Sequence, residues 1–168
     1  MLCALVRARI ALYAMHTNYD NAAPGVNDAL ASALGLADVV QIDRAMRLGG
    51  TDLETFGAFA DFAERALGGP IRRYGDPKAP VKRVCVLGGA GADYLPMAIE
   101  AGADAFVTGE LSYHKALDAA DNGLCVLEAG HAATERPGIL ALSAALQKAA
   151  DAVQYKIRVL KSKTALSL

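Results

Sequence analysis

The chain has 168 residues, with 17 Lys+Arg against 18 Asp+Glu and a formal net charge of -1. With a sequence pI near 6.3, that balance excludes a strong electrostatic footprint for nucleic acid or an anionic membrane. The 54% hydrophobic and 21% charged content excludes a disordered chain and suits one domain with a real core.

The N-terminal MLCALVRARIALYAM is apolar but interrupted by Arg7 and Arg9. It lacks the unbroken apolar stretch of a signal peptide and the ~20 apolar residues of a membrane span. The expectation is a soluble, cytoplasmic protein with no membrane partner. Residues 8–14 read as a first strand, running into the polar cluster 16–25. A helix is expected over 26–36, stopped near Gly35, then a strand over 38–43, with LGG at 48–50 as a break. Thr51 and Glu54 have the spacing of a capping box, which predicts a helix starting at Thr51. Phe56, Phe59, Ala60, Ala63 and Leu67 recur at helical spacing, so one face of that helix packs inward. Gly68, Gly69 and Pro70 end it. Residues 71–74 are a short strand candidate, and 75–80 a loop that its glycine and two prolines demand.

From there the pattern is regular. Strands are expected over 82–88, 104–109 and 124–130, helices over 92–101, 111–122 and 134–150, and a last strand over 153–160, with the tail 161–168 exposed. Short apolar strands alternating with helices predict an α/β fold: a layered α/β/α arrangement on a mostly parallel sheet. We read residues 1–168 as a single domain. Cys3, Cys85 and Cys125 are widely spaced without a CxxC, and Cys85 and Cys125 sit in apolar runs; reduced, buried cysteines are expected. With 6 Tyr, 4 Phe and no Trp, the composition argues against an aromatic base-stacking platform.

In an open α/β sheet, ligands bind beyond the carboxyl ends of the strands. Four polar clusters fall at such ends: His16-Thr17-Asn18-Tyr19-Asp20, Gly88-Gly89-Ala90-Gly91, Thr108-Gly109-Glu110 with His114 beyond it, and Gly130-His131-Ala132-Ala133-Thr134-Glu135. All three histidines of the chain lie in these clusters. His131 and Glu135 are one helical turn apart if a helix begins at His131, a reach that suits a shared metal. An imidazole with a carboxylate fits zinc, iron or manganese better than magnesium or calcium. The alternative is a Glu complementing a helix N-terminus beside a turn histidine. Asp20 is a further acidic candidate, or an Asx-turn residue. His114 has Glu110 at i−4, which permits a general acid/base tuned by that carboxylate or a plain hydrogen-bonded pair. The Gly88–Gly91 turn permits an anion seat on backbone N–H groups or a tight strand-to-helix turn. It is neither a GxGxxG nor a Walker A sequence, and no serine sits in a GxSxG elbow.

Taken together, HTNYDNAAPGVNDALASALGL (16–36), TGELSYHKALDA (108–119) and EAGHAATERPGILALSAAL (128–146) resemble the dinuclear metal-centre family related to the NGG-interacting factor. Its bacterial members are often labelled GTP cyclohydrolase I type 2. The resemblance runs in order along nearly the whole chain. It implies two metals bound by Asp20, His131 and Glu135, with Glu135 bridging, and completed in the family by an adjacent histidine pair in an upstream HHP element. No such pair is present in this sequence. The expectation is therefore a chain that starts downstream of that element and binds one divalent ion or none. His16, Glu110 and His114 are then expected to line the same cleft as proton-transfer or substrate groups, acting on a nucleotide-like or other small molecule. The family forms hexameric rings, and a missing segment should leave a sheet edge uncovered, so a homo-oligomer is expected. The other reading is a non-catalytic, oligomeric metal-binding or regulatory protein with a degenerate site.

Overall fold

A computed structural model describes residues 2–162. Met1 and most of the predicted exposed tail, 163–168, lie outside the described residues. A short helix α1 (Leu2–Arg7) and a one-turn helix α2 (Thr17–Asp20) precede α3 (Val26–Ala33), β1 (Ala37–Gln41), β2 (Arg47–Gly50), α4 (Phe56–Leu67) and β3 (Arg72–Tyr74). The regular half follows: β4 (Arg83–Leu87), α5 (Leu95–Glu100), β5 (Ala105–Thr108), α6 (Tyr113–Asp121), β6 (Cys125–Glu128) and α7 (His131–Ala152).

The strands form one sheet in the order β1-β2-β4-β5-β6-β3. β4, β5 and β6 are parallel neighbours at its centre. β2 and β3 join them antiparallel, and β1 pairs antiparallel with β2, so β1 points the same way as the central three. The layered α/β fold expected from the sequence is the one observed. The central strands are buried on both faces, because alternate residues feed two cores. Val84, Val86, Ala105, Val107, Cys125 and Leu127 meet α3 and α4 on one side, through Leu30, Phe56, Phe59 and Ala63. Cys85, Leu87, Phe106 and Val126 meet α5 and α6 on the other, through Leu95, Ala98 and Ala119. Phe56 and Phe59, at 1% and 0% exposure, each contribute roughly 1.5–3 kcal/mol by burial.

Several expectations are corrected. Residues 8–14 and 153–160 carry strand-like alternation but form no strand; both are almost wholly exposed. A strand needs a ladder partner, and neither segment reaches an edge of the sheet. The predicted break at 48–50 is instead most of β2. Gly49 is required by close approach: a Cβ there would stand 2.9 Å from Leu36 Cβ and 3.0 Å from the Ala37 carbonyl. The helix predicted from Thr51 begins four residues later. Thr55 is its N-cap, accepting from the Ala58 N–H at 3.3 Å, while Thr51 Oγ1 accepts from the Leu53 N–H within the loop. The last helix starts at His131 rather than near 134, because Gly130 at φ 85° turns the chain directly out of β6. Cys85 and Cys125 are buried and Cys3 is exposed.

Candidate metal centre

The carboxyl ends of β4, β5 and β6 lie side by side, and the loops that leave them are laced together by backbone. The Gly89 carbonyl accepts from the N–H groups of Gly109 (2.9 Å) and Glu110 (3.1 Å), and the Gly109 carbonyl accepts from the Gly130 N–H at 3.0 Å. Buried side chains complete the lacing. Gly88 N–H donates to Asn27 Oδ1 at 2.8 Å, Gly89 N–H to Thr134 Oγ1 at 3.0 Å, and Gly91 N–H to Thr108 Oγ1 at 3.0 Å. These donors are the ones an anion seat at Gly88–Gly91 would need. All three are spent inside the protein, and of the turn's four N–H groups only that of Ala90 is left over, so the turn is a structural junction that offers an anion a single donor. Asn27, Thr108 and Thr134, at 2%, 0% and 0% exposure, were given no role by sequence reasoning. The only signal for Thr108 and Thr134 is that a hydroxyl stands in each of two clusters at strand ends; Asn27, inside an ordinary helix start, offers none.

This junction presents His131 at the first position of α7, with its ring between two carboxylates. Nδ1 is 2.5 Å from Glu110 Oε1, and Nε2 is 3.0 Å from Glu135 Oε1. The second contact is the i,i+4 pairing expected if a helix begins at His131. The three side chains are 39–59% exposed, open to solvent and ligands. The hydrogen bond that the His131 ring donates to Glu110 lifts the His131 pKa above its ordinary 6.5; partial burial opposes this, and the charges of Glu135 and Glu110 add to it. Gly89, at φ 69°, faces the pair: a Cβ there would lie 3.0 Å from Glu135 Oε1 and 3.2 Å from His131 Nε2.

The other expected site residues are placed differently. Glu110 precedes Ser112, the N-cap of α6, and its carboxylate turns to His131 rather than to His114. His114 is exposed on α6 and makes an edge-on ring contact with Tyr113, centroids 5.8 Å apart. His16 is exposed before α2, with Nδ1 3.3 Å from Thr17 Oγ1. A cleft of about 490 Å³ beside the junction is walled by Glu110, Ser112, Lys115, Asp93 and Glu128, among others. Of the three residues expected to share one cleft, Glu110 lines it and His16 and His114 do not. Asp20 is half-buried at the end of α2. Its neighbour Tyr19 donates to the Gly138 carbonyl at 3.0 Å, fastening α2 to α7 one turn beyond Glu135.

Two donors fit a metal. Bonds of ~2.0–2.2 Å to imidazole and carboxylate place two ligands of one ion about 3 Å apart, the spacing of His131 Nε2 and Glu135 Oε1. Among the described residues, no group of three or more His, Cys, Asp or Glu is already gathered to hold an ion. The chain offers a convergent pair with Asp20 on the adjoining element.

Residues 1–166 match the profile of the family described as Duf34/NIF3 (NGG1p interacting factor 3). The chain belongs to this family. Among its Duf34/NIF3 relatives, the "GTP cyclohydrolase 1 type 2 homolog" of Streptomyces coelicolor is 38% identical over 95% of this chain. The protein of the same name from a Nostoc species is 34% identical over 76% of it. The chain spans 61% and 52% of the lengths of these two curated relatives. The crystal structure of the Staphylococcus aureus hypothetical protein SA1388 superposes with a TM-score of 0.89 at 25% identity, over 97% of this chain and 69% of that one. No helix among the described residues is long and apolar enough to cross a membrane.

Proposed function

We propose that this Duf34/NIF3 chain is a metal-dependent, hydrolase-like protein that holds a divalent ion, zinc, iron or manganese, on His131 and Glu135 with Asp20 as a further ligand. The observation that carries the reading is the approach of His131 Nε2 to Glu135 Oε1, 3.0 Å on an exposed face at the carboxyl ends of three parallel strands. A divalent ion bound there lowers the pKa of water and makes a nucleophile available at neutral pH. His131 contributes a neutral imidazole nitrogen, Glu135 a carboxylate, and Tyr19 holds the Asp20 element against α7. The cleft walled by Glu110, Ser112, Lys115 and Glu128 meets this pair through Glu110, which contacts His131, and is the place for a small substrate. The names of the relatives favour GTP or another nucleotide-like heterocycle. The chain's own residues favour recognition without a phosphate cradle, since three of the four N–H groups of the Gly88–Gly91 turn are already taken.

Elemental analysis after reconstitution with zinc, iron or manganese tests this. Stoichiometric metal is expected, with loss in Glu135→Ala and Asp20→Ala. No bound metal after reconstitution sinks the proposal. A non-catalytic, oligomeric role is the second reading, favoured by apolar side chains left exposed on β1 and α7, among them Val40 at 51% and Ile139 at 52%.

A further inference from the structure

We infer that Glu110 is a positioning residue: it fixes the tautomer and the ring plane of His131, so that the Nε2 lone pair is directed at the Glu135 carboxylate and any ion bound there. The inference rests on the metal reading above for its consequence, and on geometry alone for its first half. A neutral imidazole carries one N–H, and its second nitrogen becomes an acceptor or ligand. His131 stands between two carboxylates that compete for that proton. The contacts are unequal: Glu110 Oε1 lies 2.5 Å from Nδ1, Glu135 Oε1 3.0 Å from Nε2. The closer carboxylate holds the proton on Nδ1. Nε2 then has a lone pair facing an anion, an arrangement that is repulsive until a cation enters between them. A carboxylate on the far nitrogen of a ligating histidine is a recurrent device for orienting the ring and raising its basicity.

Glu110 is itself held by structure rather than by chance. Its own N–H and that of Gly109 both donate to the Gly89 carbonyl, and Gly130 N–H closes the same junction onto Gly109. A Cβ on Gly109 would stand 2.7 Å from that carbonyl and 2.8 Å from His131 Cα. The backbone bearing Glu110 is therefore in contact with the backbone bearing His131, and the side-chain pairing follows from a rigid local frame. Since those bonds are backbone bonds and the Glu110 side chain is 59% exposed, changing the side chain leaves the frame intact. The role differs from the proton-transfer role read from sequence, where His114 was the partner.

The test is long-range proton–nitrogen NMR of the three imidazoles in the metal-free chain, at a pH above the titration of His131. His131→Gln identifies its signals. The expected result is the Nδ1–H tautomer for His131 in the native chain and in Glu110→Gln, whose amide oxygen still accepts, with a change to Nε2–H in Glu110→Ala. Cobalt titration of the same proteins, read by visible absorbance, should show Glu110→Ala weakened about 10–100-fold, with Glu110→Gln between it and the native chain. An Nε2–H tautomer in the native chain, or the same tautomer and affinity in Glu110→Ala, overturns the inference. If the tautomers follow expectation but no variant, nor the native chain, takes cobalt or zinc, the metal reading falls and the positioning of the ring stands.

Discussion

Arg47 shows how a single buried charge ties elements together. It is 1% exposed, yet its guanidinium is fully engaged: Nε and Nη2 donate to both Asp28 oxygens at 2.7 and 3.0 Å, and further bonds reach the Ala22 and Ala45 carbonyls at 2.9 and 3.0 Å. Asp28 also accepts from the Gly25 N–H at 2.8 Å, capping α3. Removing the carboxylate leaves a buried cation, so Asp28→Ala should cost roughly 3–5 kcal/mol, towards the lower end because the Asp28 side chain is 30% exposed. Urea unfolding measures it. Burial pushes the Asp28 carboxyl up, but the hydrogen bonds from Arg47 and Gly25 and the Arg47 charge together hold it below its ordinary 3.8. A depressed folded pKa means stability that is present above 3.8 and lost as pH falls through the lower, folded value. The acid limb of a melting-temperature profile should therefore flatten in Asp28→Asn. Gly109 is the second sensitive residue. In Gly109→Ala the new Cβ meets backbone at 2.7 and 2.8 Å; such overpacking should cost about 1–3 kcal/mol and disturb the His131–Glu110 pair. Thiol chemistry separates the cysteines. Burial raises the Cys85 pKa to about 11 and that of Cys125 also upward, so a disulfide reagent should label only Cys3 in the native state and all three cysteines on unfolding.

At the scale of elements, the start of α4 discriminates between two threonines that sequence makes equally plausible as caps. Thr55→Ala should destabilise by about 0.5–2 kcal/mol, while Thr51→Ala, whose hydroxyl bonds only within the loop, should change the unfolding midpoint less. Equal losses would show that the helix begins where the T-x-x-E spacing put it. The same element shows why sequence reading placed the body of the helix well and its start badly. Five apolar residues at helical spacing register over the whole helix, whereas the cap depends on where the chain crosses its neighbours. Here Phe56 and Gly57 N–H donate to the Ala79 and Pro77 carbonyls, from a loop 23 and 20 residues further along the chain. The β4–α5–β5–α6–β6 run was legible almost residue by residue, since each short apolar strand is bounded by its own glycine or polar turn. β2 was hidden because Gly49 answers to Leu36 and Ala37 on the preceding segment, a contact that no local pattern records.

For the whole molecule, the apolar surface is unevenly distributed. Every residue of β1 is exposed, and Leu12, Tyr13, Tyr155 and Ile157 stand at 55–78% exposure in segments that pair with nothing in the sheet. Unpaired edges and apolar patches of this kind favour association. Sedimentation should give a mass above the 17.5 kDa of one chain, and Val40→Lys on the β1 edge should lower it; a monomer at micromolar concentration would count against an oligomer.

Composition and periodicity were enough to specify the layered α/β fold and its central strands, because those depend on alternation and spacing that the sequence carries locally; the family rested on the resemblance of three motif segments. They were also enough to pair His131 with Glu135, since one helical turn fixes that distance. The tertiary structure decided what no local pattern holds. It gave Glu110 to His131 and not to His114, spent the N–H groups of Gly88, Gly89 and Gly91 on Asn27, Thr134 and Thr108, and left the segments 8–14 and 153–160 without a ladder. In each case the reason is the same: hydrogen-bond partners of polar groups are chosen by which chain segments meet in space, and neighbours in sequence are only one class of candidate.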